Sequence, residues 1–157
     1  MDRKELKNTI RDVFYDIIEK SAFMFGEEVE KDEVDVNYDK FVRADMGFVG
    51  DAKGEISIMV PEAMCPEIAA NFLGVDPEDE KVNEYSEDAL KEILNVTCGH
   101  VLTAIKGERA VFDLTVPNIK RGIKLKEWEK LFRSEDSIVC MVDDYPVLIK
   151  FSIKNED

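Results

Sequence analysis

The sequence predicts an α+β domain, with two long helices packed on a mainly antiparallel sheet. Three observations predict it. Residues 4–25 and 86–106 space their apolar side chains at the helical period. Several shorter stretches alternate at a period of two between turn residues. The order helix, three strands, helix, then helix, three strands also repeats itself, as an internal duplication would.

The elements follow in order. In residues 4–25, Ile10, Val13, Phe14, Ile17, Ile18 and Met24 form the apolar side, and Gly26 stands where a C-cap belongs. Strand-like stretches lie at Asp35–Tyr38 and Lys40–Phe48, then a turn over Gly50–Gly54 and a strand at Glu55–Val60. Pro61 fits the first position of a helix that Gly74 closes, with Pro66 giving a short first turn or a kink. Val75–Tyr85 reads as a charged linker. Ser86 then caps the second long helix, whose early acidic residues suit the positive end of its dipole. A strand at Arg109–Val116 stops at Pro117, and the basic, aromatic segment Asn118–Arg133 receives no assignment. Strands at Ser137–Val142 and Pro146–Ile153, joined by a hairpin at Asp143-Asp144-Tyr145, close the chain.

Residues 1–157 are expected to form one domain, its related halves spanning about 4–60 and 84–153 and joined by a helix and linker at 61–83. An apolar content of 45% suits a folded globule. The net charge of −14 argues against nucleic acid and against anionic membrane surfaces, which need a basic patch. No apolar run approaches a membrane span, and the opening MDRKELKNTI has charges where a signal peptide needs apolar residues. Cys65, Cys98 and Cys140 are odd in number and widely spaced, as expected of free thiols in a reducing cytoplasm rather than of a zinc site.

Residues 86–106 carry the chemistry. At about 100° per residue, Leu90, Leu94, Thr97, Val101 and Ile105 fall on one side of that helix. Asp88, Glu92, Asn95 and Gly99 share a narrow stripe on the other. Asn is a mediocre helix former, so a Glu-x-x-Asn pair above a Gly asks for a reason. Laying Asp12 on Asp88 superimposes the two long helices: Asp16 then meets Glu92, Glu19 meets Asn95 and Phe23 meets Gly99. Phe14, Ile17 and Ile18 coincide with Leu90, Ile93 and Leu94. Only the second helix combines Glu, Asn and Gly.

Asp88-x-x-x-Glu92-x-x-Asn95 with Gly99, the downstream Pro117 and the duplicated layout resembles the CheC/CheX/FliY family of bacterial chemotaxis phosphatases. With Asp16 and Glu19 in the first half, only one site remains, as in the CheX branch. The resemblance implies a cytoplasmic homodimer that hydrolyses the aspartyl phosphate of a CheY-like response regulator. It implies no cofactor of the chain's own, because the receiver supplies Mg²⁺ and a lysine. Catalysis then reduces to holding a water in line with phosphorus, which a side-chain amide does by accepting from the water and donating to a phosphoryl oxygen. Asn95 takes that role. Glu92 pairs with the receiver's lysine, Gly99 lets the partner backbone approach, Asp88 orients the partner or serves only as an early-helix charge, and Pro117 shapes the adjoining loop. A rival reading is a non-catalytic adaptor that binds a receiver or a flagellar-switch component. Cys98 and His100, at i and i+2, do not face each other, so they read as a core and a boundary residue rather than a nucleophile pair. Trp128 is expected to cover the sheet.

Overall fold

The computed structural model describes residues 1–155. Helix α1 spans Arg3–Ala22 and opens on Asp2, whose side chain accepts the Glu5 N–H at 2.8 Å. Its end differs from the expectation at Gly26. Phe23 adopts the left-handed conformation (φ 54°), its N–H bonding Glu19 O at 3.0 Å while Met24 N–H reaches Ile18 O at 3.4 Å. This Schellman arrangement tucks Met24 into the core and leaves Phe23 exposed. Gly26 serves the short strand β1 (Gly26–Glu27) instead, where a Cβ would lie 2.3 Å from the Tyr15 ring.

Asp35–Tyr38 is not a strand. Val34, Val36 and Tyr38 alternate as a strand would, but they cover a hydrophobic cluster without joining a ladder. Strands β2 (Lys40–Gly50) and β3 (Ala52–Pro61) make a hairpin tighter than the five-residue turn expected. Gly54 lies within β3, where a Cβ would meet Ser152 O at 2.0 Å. Helix α2 (Met64–Leu73) starts after Pro61, holds Pro66 in its first turn, and ends at Gly74 (φ 67°). Helix α3 (Glu80–Lys106) begins well before Ser86: Asp79 is its N-cap, accepting from Lys81 N–H at 2.9 Å. Ser86 is buried mid-helix, and Val82 extends the buried stripe into the supposed linker.

The strand expected at Arg109–Val116 shortens to β4 (Phe112–Leu114). The unassigned segment forms β5 (Asn118–Lys124) and α4 (Leu125–Phe132). Strands β6 (Ser137–Val142) and β7 (Tyr145–Asn155) meet at a turn with positive φ at both Asp143 and Asp144. That mirror-image turn matches the strand twist.

All pairings are antiparallel, in the order β1-β6-β7-β3-β2-β4, with β5 also on β2. The order is unchanged when β1, β2 and β3 are exchanged with β4, β6 and β7. Each strand alternates across the sheet. Val42, Ile56, Ile58, Cys140 and Ile149 join the main core with buried residues of α1, α2 and α3. Phe41, Met59, Val139 and Leu148 face the other way, against Trp128 of α4 and Ile123 of β5. The Trp128 ring stacks on Phe41 at 4.5 Å. The tryptophan covers the sheet as expected.

Candidate functional site

Helix α3 builds the site because its two faces are so unequal. Ala89, Leu90, Ile93, Leu94, Thr97, Cys98 and Val101 are buried, which fixes the helix about its axis. Asp88 and Glu92 are thereby turned out to solvent, with Asn95 partly exposed beside them. Among the described residues no hydrogen bond or ion pair engages the Asp88, Glu92 or Asn95 side chain. They are free to meet a partner.

Asp88, Glu92, Asn95 and Pro117 line one open depression of about 470 Å³, with Tyr85 and Lys91 from the helix. The opposite wall is Leu114-Thr115-Val116. Sequence reasoning missed that wall. It forms by long-range pairing: Thr115 and Gly47 exchange hydrogen bonds at 2.8 and 2.9 Å. Further back, Asp51 accepts the Val111 N–H on its side chain at 3.0 Å and donates its own N–H to Val111 O at 3.1 Å. Gly50 allows this approach, since a Cβ there would lie 2.2 Å from Val111 O. The wall is apolar and exposed: Leu114 is 39% and Val116 79% accessible.

Gly99 lies one turn beyond Asn95, outside the depression. It lines an adjoining hollow with Thr103, Ala110 and Phe112, and the two hollows share Leu114. A Cβ at Gly99 would have no atom within 4 Å, so the position is open.

The segment without a sequence assignment also steadies the helix. Arg121 of β5 pairs with Glu87 and donates to Ser86 Oγ at 3.3 Å, just before Asp88. Cys98 is fully buried, its thiol pushed up to about 11 by desolvation, whereas His100 is exposed. The two do not form a nucleophile pair. Among the described residues no cluster of three or more His, Cys, Asp or Glu side chains could hold a metal ion. No helix among them is long and apolar enough to cross a membrane.

The fold is shared with solved structures. A CheX chemotaxis protein from Desulfovibrio desulfuricans superimposes with a TM-score of 0.69 at 17% identity, covering 96% of this chain and 99% of that one. CheX from Vibrio vulnificus gives 0.68 at 20% identity, covering 98% and 99%. The CheX of a CheX–CheY–BeF3–Mg²⁺ complex from Borrelia burgdorferi gives 0.60 at 17% identity, covering 94% and 97%. No curated protein sequence matches the chain significantly. The family model described as chemotaxis phosphatase CheX matches residues 42–134, which include α3, the loop wall and Pro117. On that match over more than half its length, and with the fold its structural neighbours share, the chain belongs to the CheX family of chemotaxis phosphatases.

Proposed function

We propose that this protein hydrolyses the aspartyl phosphate of a CheY-like response regulator, with Glu92 and Asn95 inserted into the receiver's site. The observation that carries this is the grouping of an unengaged carboxylate and an unengaged amide, one turn apart on a rigid helix, inside one open depression. An acyl phosphate needs no nucleophile from the phosphatase, only an oriented water. The Asn95 carbonyl accepts from that water and its NH₂ faces a phosphoryl oxygen. Glu92 pairs with the receiver's lysine and fixes the docking register. Asp88 faces the partner at the rim, Gly99 leaves its backbone room, and Pro117 shapes the wall. Mg²⁺ comes with the receiver, and the chain brings no cofactor.

The exposed Leu114 and Val116 wall gives the partner an apolar surface beside the acidic one, as a docking face requires. The same reading takes residues 1–157 as one domain of two related halves, supported by the unchanged strand order on exchanging them. It places the protein in the cytoplasm as a homodimer, and sedimentation of the purified chain tests the dimer.

The experiment is decay of a phosphorylated receiver with and without the protein. Asn95→Ala should remove the acceleration, by about a hundredfold or more, while receiver binding persists. If Asn95→Ala accelerates decay as well as the parent does, the water-orienting role is wrong. If the parent binds the receiver without accelerating decay at all, the adaptor reading replaces this one.

A further inference from the structure

Away from the Glu92–Asn95 face, a cavity of about 580 Å³ opens between α1, residues 28–31 and the start of β6. Arg3, Lys4, Lys7, Arg11 and Lys31 line it, against Glu28 and Glu30. In a chain with 35 acidic and 21 basic residues, this inverts the overall balance. The helix period produces it: Arg3, Lys7 and Arg11 are spaced i, i+4, i+8 and form one stripe.

The cations face neutral acceptors. Lys31 Nζ donates to Phe132 O at 2.8 Å, Ser134 O at 2.9 Å and Ser137 Oγ at 2.7 Å. Lys7 donates to the Glu135 carbonyl, and Arg11 to Asn8 Oδ1 at 3.0 Å. Among the described residues, Arg3 is the one of these cations that meets a carboxylate, Glu135 at 3.4 Å, and both side chains are too exposed for that pair to hold firmly. Burial first and Lys7 second lower the Lys31 pKa.

The floor is different. Val29 is half-buried there, while the Ile138 and Val139 side chains are buried in the cores on either face of the sheet, so β6 offers the cavity mainly its backbone. Strand β1 pairs with β6 only at Met141 and Val142. In the β6–β7 hairpin closed by Val142 and Tyr145, the hydrogen-bonded pairs are that one, Cys140–Val147 and Ile138–Ile149. The N–H and C=O of Val139 therefore point away from β7, toward the cavity. The neighbouring outward amides are taken: Met141 N–H by Tyr15 Oη at 3.1 Å and Ser137 N–H by Ser134 O at 3.2 Å. Among the described residues no strand pairs with β6 at Val139.

We propose that this cavity binds a nucleoside phosphate, with its phosphates against Lys7 and Arg11 and its base beside Val29 at the backbone edge of Val139. Three features select that class. The excess of cations calls for more than one negative charge. The volume falls within the roughly 300–1,000 Å³ usual for small-molecule sites. The backbone donor and acceptor of Val139, side by side next to Val29, match the hydrogen-bonding edge of a heteroaromatic ring. A bare inorganic anion would use only the first.

The test is titration of the full chain with ATP, GTP and inorganic triphosphate, followed by calorimetry and amide NMR. Saturable binding of a nucleotide is expected, shifting the Val139 amide and weakening as salt is raised. The double variant Lys7→Glu/Arg11→Glu should weaken it by about tenfold or more, and inorganic triphosphate should bind about tenfold more weakly than the nucleotide. Receiver dephosphorylation by this variant should match the parent, since neither residue lines the depression that holds Asn95. No saturable nucleotide binding up to millimolar concentration would overturn the proposal. So would triphosphate binding as tightly as nucleotide, or an unmoved Val139 amide, which needs no variant to be read.

Discussion

Thr115 and Gly47 clasp each other across the edge of the sheet. The Gly47 N–H donates to Thr115 Oγ1 at 2.8 Å, and the Thr115 N–H returns a bond to the Gly47 carbonyl at 2.9 Å. This holds the wall opposite Glu92 and Asn95. Thr115→Val keeps the shape and deletes the hydroxyl, at a cost of about 1 kcal/mol. The melting temperature should therefore drop by only about 2–4 °C. The apparent KM for a phosphorylated receiver should rise more than kcat falls, and Thr115→Ser should restore it. An unchanged KM would show that the wall does not position the partner.

Val116 makes the wall apolar without serving the core. At 79% exposure its removal costs the fold little, so Val116→Asp should change stability by less than about 0.5 kcal/mol. It places a charge in the proposed docking face beside Asp88 and Glu92. Receiver affinity should fall by about tenfold at low salt. Calorimetric titration of parent and variant decides it, and equal affinities would remove Leu114-Thr115-Val116 from the interface.

The polar stripe of α3 was legible because it follows from the 3.6-residue period alone: once Leu90, Leu94 and Val101 are buried, Glu92 and Asn95 have to face out. The start of that helix was not. Residues 75–85 are dense in Asp and Glu, and only Val82 continues the buried stripe, while Ser86 and Asp79 are equally acceptable N-caps by type. The depression's second wall was invisible for another reason. Nothing local in Leu114-Thr115-Val116 says that Thr115 meets Gly47, nor in Asn118–Arg133 that Arg121 meets Glu87. These contacts depend on strand order, which one sequence does not encode at any fixed spacing. Asp35–Tyr38 failed in the opposite direction: its alternation is real, but it serves the Trp128 cluster instead of a ladder.

Phe23 shows that a cap need not be the residue preferred for it. A bulky side chain at φ 54° is strained by about 1 kcal/mol relative to glycine, and Phe23 is 68% exposed, so burial does not offset the strain. Phe23→Gly should keep the Schellman bonds to Glu19 and Ile18 and raise the melting temperature by about 2–4 °C. A lower melting temperature would mean that the ring contributes packing which its exposure conceals.

The three buried thiols set the alkaline limit of stability. Desolvation raises Cys65 and Cys98 to about 11 and Cys140 to about 12, from an ordinary value of 9.0. Between those limits the unfolded chain loses thiol protons that the folded chain keeps. The folded state then binds more protons, and stability falls as pH rises. The stabilisation is whole below about pH 9 and is withdrawn as pH climbs toward the folded values, by at most about 1.4 kcal/mol per pH unit for each thiol. Tyr15 and Tyr145, also raised by burial, add the same sign from higher pH, and Lys31, lowered by burial, opposes it. Urea unfolding at pH 7, 9 and 10 should give a declining free energy. Cys140→Ala lowers the whole curve by leaving a small cavity but flattens its alkaline limb. A variant limb parallel to the parent's would show that Cys140 does not titrate differently in the two states.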